Sequence, residues 1–496
     1  MASGIQFFCT SAVMSNMVSS LNATITSYIM SVTWSKGLAA PYDIVGRDNT
    51  ATIVLKNSDK RFSPNNTSGP YYPYFSKGNS FFVTIGAYNN GAATGYDLDY
   101  YGYITNIDPT SGTTQERTCT VTCEGWFGRA MRTPVNMAVY NDILVNIALE
   151  RLVENSPVPP YYGWAKTQNA FGVSNFNGGT YFLNGATFLG GTTETAATTI
   201  GTIGDWMDGQ TVYGAARDIV QREGGGKIFQ GDGKLVFWNR THKTDTSTVS
   251  ATFTNAQTSM TTSYGDLIRN QITVRYATRG VGTSISTVGT CADSVSVTSG
   301  GDTRVSIDYR DPSTGLFISS NNIIPPVGGV DFTATTSTGA NKDTEIKATL
   351  IQDKGNGAIF NFHNYSGSDV TLTGLVVRGT KLNVTASGEV TVTDDTSILA
   401  YGLQSYTWDG EVETRALAVT LAAALLAEFK DPKTRITNYT PRMATLTDIV
   451  KIGNFTNRIT ITETQTGITS DDYFVVGENV QWSPGNFSLS WVLEPA

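Results

Sequence analysis

Only two histidines, His242 and His363, occur among the 496 residues, so histidine-based proton transfer or nucleophile activation would have to use one of them. His242 lies in Asn239-Arg240-Thr241-His242-Lys243, a polar turn after the strand-like Leu235-Val236-Phe237-Trp238. No Gly-x-Ser-x-Gly elbow is present. Neither histidine has Cys, Asp or Glu at ligand spacing, and His-Glu-x-x-His and Cys-x-x-Cys are absent, so no metal and no cofactor is expected. Carboxylate pairs are the remaining chemistry: Asp97 with Asp99, Asp394 with Asp395, and Asp471 with Asp472. An apposed acid and base hydrolyse glycosides without histidine, and the same groups can hold a cation. All three pairs flank strand ends or turns, where Asp serves local hydrogen bonding and solvation. The expectation is therefore a protein that is not an enzyme, with no catalytic, cofactor-binding or metal residue.

Other motifs have plain structural readings. Cys119 and Cys123 lie in the alternating Thr118-Cys119-Thr120-Val121-Thr122-Cys123, on one face of a strand and ~13 Å apart, beyond disulfide reach. Cys9 and Cys291 have no spacing partner. Gly224-Gly225-Gly226 ends a helical pattern and leads into a strand, the reverse of the order that aims amides at phosphate. Gly231-Asp232-Gly233 reads as a hairpin turn. Asn-x-Ser/Thr sequences such as Asn22-Ala23-Thr24 and Asn438-Tyr439-Thr440 carry no weight without a secretion signal.

Positioning elements follow from composition and period. Lys and Arg number 34 against 42 Asp and Glu, a net charge of −8, and only 15% of residues are charged while 11% are aromatic. That balance argues against intrinsic disorder and, lacking a basic block, against sequence-specific nucleic-acid binding. At ~100–200 residues per domain the length suits roughly three to five domains. The first basic residue is Lys36, so the apolar stretch at 7–17 lacks the positive region of a secretory signal. The longest apolar run, 421–427, is far short of a bilayer span, and a soluble chain is expected.

Period-two alternation dominates, as in Ile459 with Ile461, Phe487 with Leu489 and Trp491, and Ile272 with Val274 and Tyr276. Helical spacing predicts three helices, at 142–153, 211–223 and 411–430. The fold class expected is mainly β (α+β). Boundaries fall at 1–130 for a first β-barrel domain and 131–262 for an α/β domain with two helices. Residues 263–280 and 396–496 form a second β-barrel domain carrying the third helix, with an antiparallel β insert at 281–395. Tyr103 to Gly112 and Phe474 to Gly485 share a strand and Pro/Gly-turn outline, each followed by an alternating strand, a faint sign of two related units.

Taken in order, several segments resemble the minor tail or tail-tip baseplate hub proteins of long-tailed bacteriophages. They begin with Tyr28-Ile29-Met30-Ser31-Val32-Thr33-Trp34-Ser35-Lys36-Gly37 and Asn57-Ser58-Asp59-Lys60-Arg61-Phe62-Ser63-Pro64. Tyr101-Gly102-Tyr103-Ile104, the helix and Asp-Gly hairpin at 213–238, Tyr264-Gly265-Asp266-Leu267-Ile268-Arg269-Asn270, Tyr401-Gly402 and the stretch 449–491 follow. The insert at 280–393 and the loop-rich 156–199 are not clearly matched.

The resemblance implies a baseplate-hub fold with two related β-barrels per chain, so that three chains form a pseudo-sixfold ring at the distal end of the virion tail. The implied partners are further copies of itself, a distal tail or tail tube protein, the tape measure protein, and a fibre or spike. DNA would pass through without specific binding, with no stable membrane insertion, and an acidic lumen is expected from the charge. A tail-associated glycan-binding or cell-wall-hydrolysing protein is the competing reading, because aromatics cluster at 71–74 and 161–164. The hub of a phage-tail-like injection machine is another.

Overall fold

A computed structural model describes residues 6–15, 22–73, 75–78, 80–89, 92–111, 117–135, 137–154, 199–204, 210–231, 235–242, 249–442 and 458–496. The aromatic stretch at 161–164, the Pro-rich run at 156–160 and the turn residues Asp232 and Gly233 lie outside them.

The first β unit contains β1 (Gln6–Ser15), β2 (Asn22–Thr24), β3 (Ile29–Gly37), β4 (Thr50–Lys56), β5 (Ser80–Asn89), β6 (Ala92–Pro109) and β7 (Thr118–Glu124). Alternation sets its faces: Ala51, Ile53 and Leu55 of β4 and Cys119, Val121 and Cys123 of β7 are buried in one core. Cys119 and Cys123 are thus buried free thiols, small core residues of a strand.

The α/β unit follows, with α1 (Trp126–Ala130), β8 (Tyr140–Leu144), α2 (Val145–Glu154), β9 (Thr199–Ile203), α3 (Val212–Glu223), β10 (Lys227–Gln230) and β11 (Leu235–Trp238). Helix α3 is capped by the Thr211 side chain, which accepts from Gly214 N–H, and ends at Gly224 in the left-handed region. Helix α2 starts later than its periodicity suggests, because 140–144 is drawn into a strand paired with β9. The short helix α1 was not legible from sequence; it packs Trp126 and Phe127 into the core of this unit.

Strands β12 (Ala251–Thr254) and β13 (Gln257–Tyr264) return to the β layer, pairing with strands from the far end of the chain. Residues 251–261 therefore belong to the sheet rather than to the α/β unit. The insert is a long ribbon, β14 (Gln271–Thr290) with β22 (Val376–Thr393), carrying a small β body. That body comprises β15 (Val295–Val297), β16 (Asp302–Asp308), β17 (Ser320–Ile324), β18 (Thr333–Thr336), β19 (Ile346–Asp353), β20 (Gly357–Asn364) and β21 (Val370–Thr373). Phe332, Phe360, Phe362 and Leu372 fill its core. Residues 271–280, expected in the second barrel, are the base of this ribbon.

The chain closes with α4 (Asp395–Tyr401), β23 (Ser405–Val412), α5 (Arg415–Phe429), β24 (Thr434–Pro441), β25 (Arg458–Glu463), β26 (Ile468–Ser483) and β27 (Asn486–Pro495). Helix α5 begins at the Thr414 cap, not at 411, because Glu411 and Val412 pair with β14 in a parallel ladder. It packs Leu417 and Leu421 against Ile272, Val274 and Val412. Among the described residues no helix is long and apolar enough to cross a membrane.

Candidate functional site

The two β units are one motif used twice, fused edge to edge in a thirteen-stranded sheet. In the first, strands taken as 3, 4, 5, 6, 7 along the chain lie side by side as β3-β4-β7-β6-β5, all antiparallel. In the second, β13, β24, β25, β26, β27 lie as β13-β24-β27-β26-β25, again all antiparallel.

The correspondence extends to single residues. Opposite β7, β6 has a bulge between Ile104 and Asn106; opposite β27, β26 has one between Val475 and Gly477. β5 enters beside β6 at Ser80↔Tyr103, and β25 beside β26 at Arg458↔Phe474. Both correspondences carry Tyr103 onto Phe474 and Asn106 onto Gly477. Followed across the sheet, they carry Val32 of β3 onto Met260 of β13, and so Gly37 onto Gly265. Both glycines sit in the left-handed region, at φ 82° and 72°, where each first strand ends.

The seam between the units is the pairing of β3 with β26, from Gly37↔Gly477 to Val32↔Trp482. Leu38 N–H donates to Val476 O at 2.7 Å just beyond it. Lys36 and Glu478 face each other there, 3.1 Å apart and 2% and 1% exposed. Arg47 Nη2 donates to Asn479 Oδ1 at 2.8 Å and to Glu478 O at 3.2 Å. Nearby, Glu494 of β27 takes Lys227 Nζ at 2.9 Å and Tyr42 N–H at 3.0 Å, tying the α/β unit to the sheet. The Tyr42 hydroxyl, raised well above its usual value by burial, donates to Glu428 at 3.0 Å and accepts from Arg435 at 3.2 Å.

The outward face across the seam is uncharged. Thr33 and Ser35, Thr50 and Thr52, Asn479 and Gln481, and Ser488 and Ser490 line a groove of about 360 Å³. Thr122 beside Thr52 extends this surface onto β7. Charged residues in this register lie at its two ends: Lys56 and Asp108, opposite Thr118 and Thr120, at one, and Glu124 of β7 and Glu494 of β27 at the other.

The sequence-selected candidates are scattered. Asp394 caps α4 by accepting from Ser397 N–H at 2.9 Å and pairs with Lys430 Nζ at 2.9 Å, and these bonds hold its carboxyl below the usual range. Asp472 accepts from Arg458 Nη2 at 2.6 Å and from Thr460, and its carboxyl is likewise lowered. Its neighbour Asp471 directly precedes it along β26, so the two side chains leave opposite faces. Asp97 and Asp99 lie in β6, opposite Gly86 and Thr84 of β5. His242 stacks on Trp238 at 4.0 Å between ring centroids, while His363 meets Asp302 at 3.0 Å on the insert. Among the described residues no three His, Cys, Asp or Glu side chains converge as a metal site. What sequence reasoning missed is the seam itself: its residues look like ordinary strand residues, and only the paired bulges and the two glycines distinguish them.

No protein-family model and no curated protein matches the chain. Among solved structures, the fold is similar to that of a tail protein from Neisseria meningitidis, at TM-score 0.48 and 11% identity over 99% of this chain and 96% of that one. It is also similar to a 43 kDa tail protein of prophage MuSo2 from Shewanella oneidensis, at TM-score 0.45 and 10% identity over 97% of both chains. A type VI secretion component of E. coli, described as structurally similar to two tail proteins of bacteriophage T4, aligns at TM-score 0.38 and 8% identity over 99% of this chain and 77% of that one.

Proposed function

We propose that the chain is a structural component of a bacteriophage tail tip, a homotrimeric ring-shaped hub at the distal end of the virion tail. It joins the tail tube or distal tail protein to fibres or spike, and lets the tape measure protein and DNA pass. The observation that carries this reading is the doubled five-strand motif: two equivalent units per chain let three chains meet a sixfold tube without a symmetry mismatch. The ordered sequence motifs support it, since their first member is β3 and their last spans β25 to β27. The uncharged groove of the internal seam is part of the surface we assign to the passage. Hydroxyl and amide groups hydrate well, yet offer phosphates neither the cations that retain them nor the anions that repel them. A non-enzymatic role is supported by Asp394 and Asp472, whose carboxyls are held by Lys430 and Arg458.

The test is the native mass of the purified protein, with electron microscopy of the particles formed. A closed ring of three chains is the expected result. A monomer at all concentrations, or a two-fold dimer, would refute the reading.

A further inference from the structure

Among the described residues the chain contains one worked example of how its units join, and one copy of each surface of that joint left unpaired. β3, the outer strand of the first unit, seats on residues 477–482 of β26, alongside the stretch of β26 that pairs with β25. The counterpart of β3 is β13, which ends the order of the sheet and pairs only with β24 among the described residues. The counterpart of the docking stretch is the end of β6 beyond Tyr103, which pairs with β7 on one side and lies past the end of β5 on the other. An outer strand with no neighbour presents a row of backbone donors and acceptors that template another strand.

We propose that β13 of one copy docks on β6 of a second copy in the register that β3 keeps with β26. Carrying the correspondence through sets Gly265 opposite Asn106, Tyr264 opposite Ile107, Ser263 opposite Asp108, and Thr262 opposite Pro109. The bond from Leu38 N–H to Val476 O becomes one from Asp266 N–H to Thr105 O. Pairing fades at Pro109, which has no N–H to give.

The side chains at the joint fit an apolar contact where the internal seam has an ion pair. Lys36 and Glu478 are replaced by Tyr264 and Ile107. Tyr264 is 72% exposed in the isolated chain, a large aromatic standing free at a strand edge. Ile107 is a half-buried residue packed against the core of the sheet. A second copy covers both. Because the two surfaces differ and lie on different units, the contact is head-to-tail, and repetition closes a ring when the rotation permits. This inference rests on the hub reading and names the strands and register by which the ring would form.

The experiment mixes two singly substituted full-length chains, Ser263→Cys and Asp108→Cys, under mild oxidation. Their proposed pairing corresponds to Ser35↔Asn479, and Cα atoms directly opposite in antiparallel strands lie within disulfide reach. A disulfide-linked dimer is expected from the mixture, forming at least about tenfold faster than from Ser263→Cys with Asn106→Cys, two residues off register. A second variant, Tyr264→Ala, should weaken assembly roughly tenfold or more while thermal unfolding of the separated chain is unchanged. A wild-type oligomer with no cross-link, or with equal rates for the two pairings, overturns the proposed joint and leaves the ring reading intact. A wild-type chain that stays monomeric overturns both.

Discussion

Lys36→Met removes the cation from the seam between the two β units while leaving Glu478 in place, and the cost can be worked from the geometry. The two groups are 3.1 Å apart and 2% and 1% exposed. At that distance unit charges attract by about 5 kcal/mol if the effective dielectric is ~20. Desolvating the two ions costs several kcal/mol each, so the intact pair contributes little net stability. Removing only the lysine leaves a buried carboxylate without its counter-charge, which costs about 3–5 kcal/mol. Trp491 Nε1, 3.4 Å from Glu478 Oε2, is a neutral donor and offsets only part of this. Adding Glu478→Gln removes the orphaned charge and keeps an acceptor for Trp491, so the double variant should return to within ~1 kcal/mol of wild type. Urea unfolding followed by tryptophan fluorescence reads the seam directly, since Trp34, Trp482 and Trp491 all lie in this core. A single variant that loses less than ~1 kcal/mol, or a double variant as weak as the single, would refute the reasoning.

Gly477→Ala would drive a Cβ into Leu38 O and to 3.0 Å from Val492 Cβ, so a loss of roughly 1–3 kcal/mol is expected in thermal melts, with ring formation impaired. Burial pushes Asp48 up to about 6 although Gly125 and Gly128 N–H groups donate to it. Since that lies above the unfolded value of 3.8, the folded chain binds the proton more tightly. Asp48 therefore contributes stability below about pH 4 that is lost as pH rises through about 6. Asp48→Asn should remove this fall, visible as a flatter melting temperature between pH 4 and 7. Placing three lysines on the groove, Thr33→Lys, Thr52→Lys and Ser490→Lys, should create DNA binding that weakens with salt at a slope of up to about −2.7, where wild type retains none. In assembled tails the same variant should slow DNA release; unchanged release would show that the groove does not line the passage.

Local chemistry was legible in the residues themselves. Alternation picked out β7, β25 and β27 because a half-buried strand must send every second side chain to the core. Thr211 and Gly224 bounded α3 because capping depends on a few adjacent residues. Where reading failed, a distant partner had intervened: 142–144 looks helical but belongs to the strand paired with β9, and Glu411 looks like a helix start but pairs with β14. The base of the insert ribbon has the same alternation as a barrel strand, so nothing local told its sheet.

By itself, then, the order of residues determined a mainly β chain with few charges, two unrelated histidines, and a faint echo between Tyr103 and Phe474. Tertiary structure turned that echo into a residue-by-residue repeat, through matching bulges and the two left-handed glycines, Gly37 and Gly265. It also decided which strands lie side by side: Arg47 meets Asn479 across 432 residues of chain. Strand pairing over such distances is set by backbone hydrogen bonding and by core packing summed over the whole sheet. Two edges that correspond in the repeat can therefore differ, one closed by the chain's own β26 and one pairing only with β24 among the described residues.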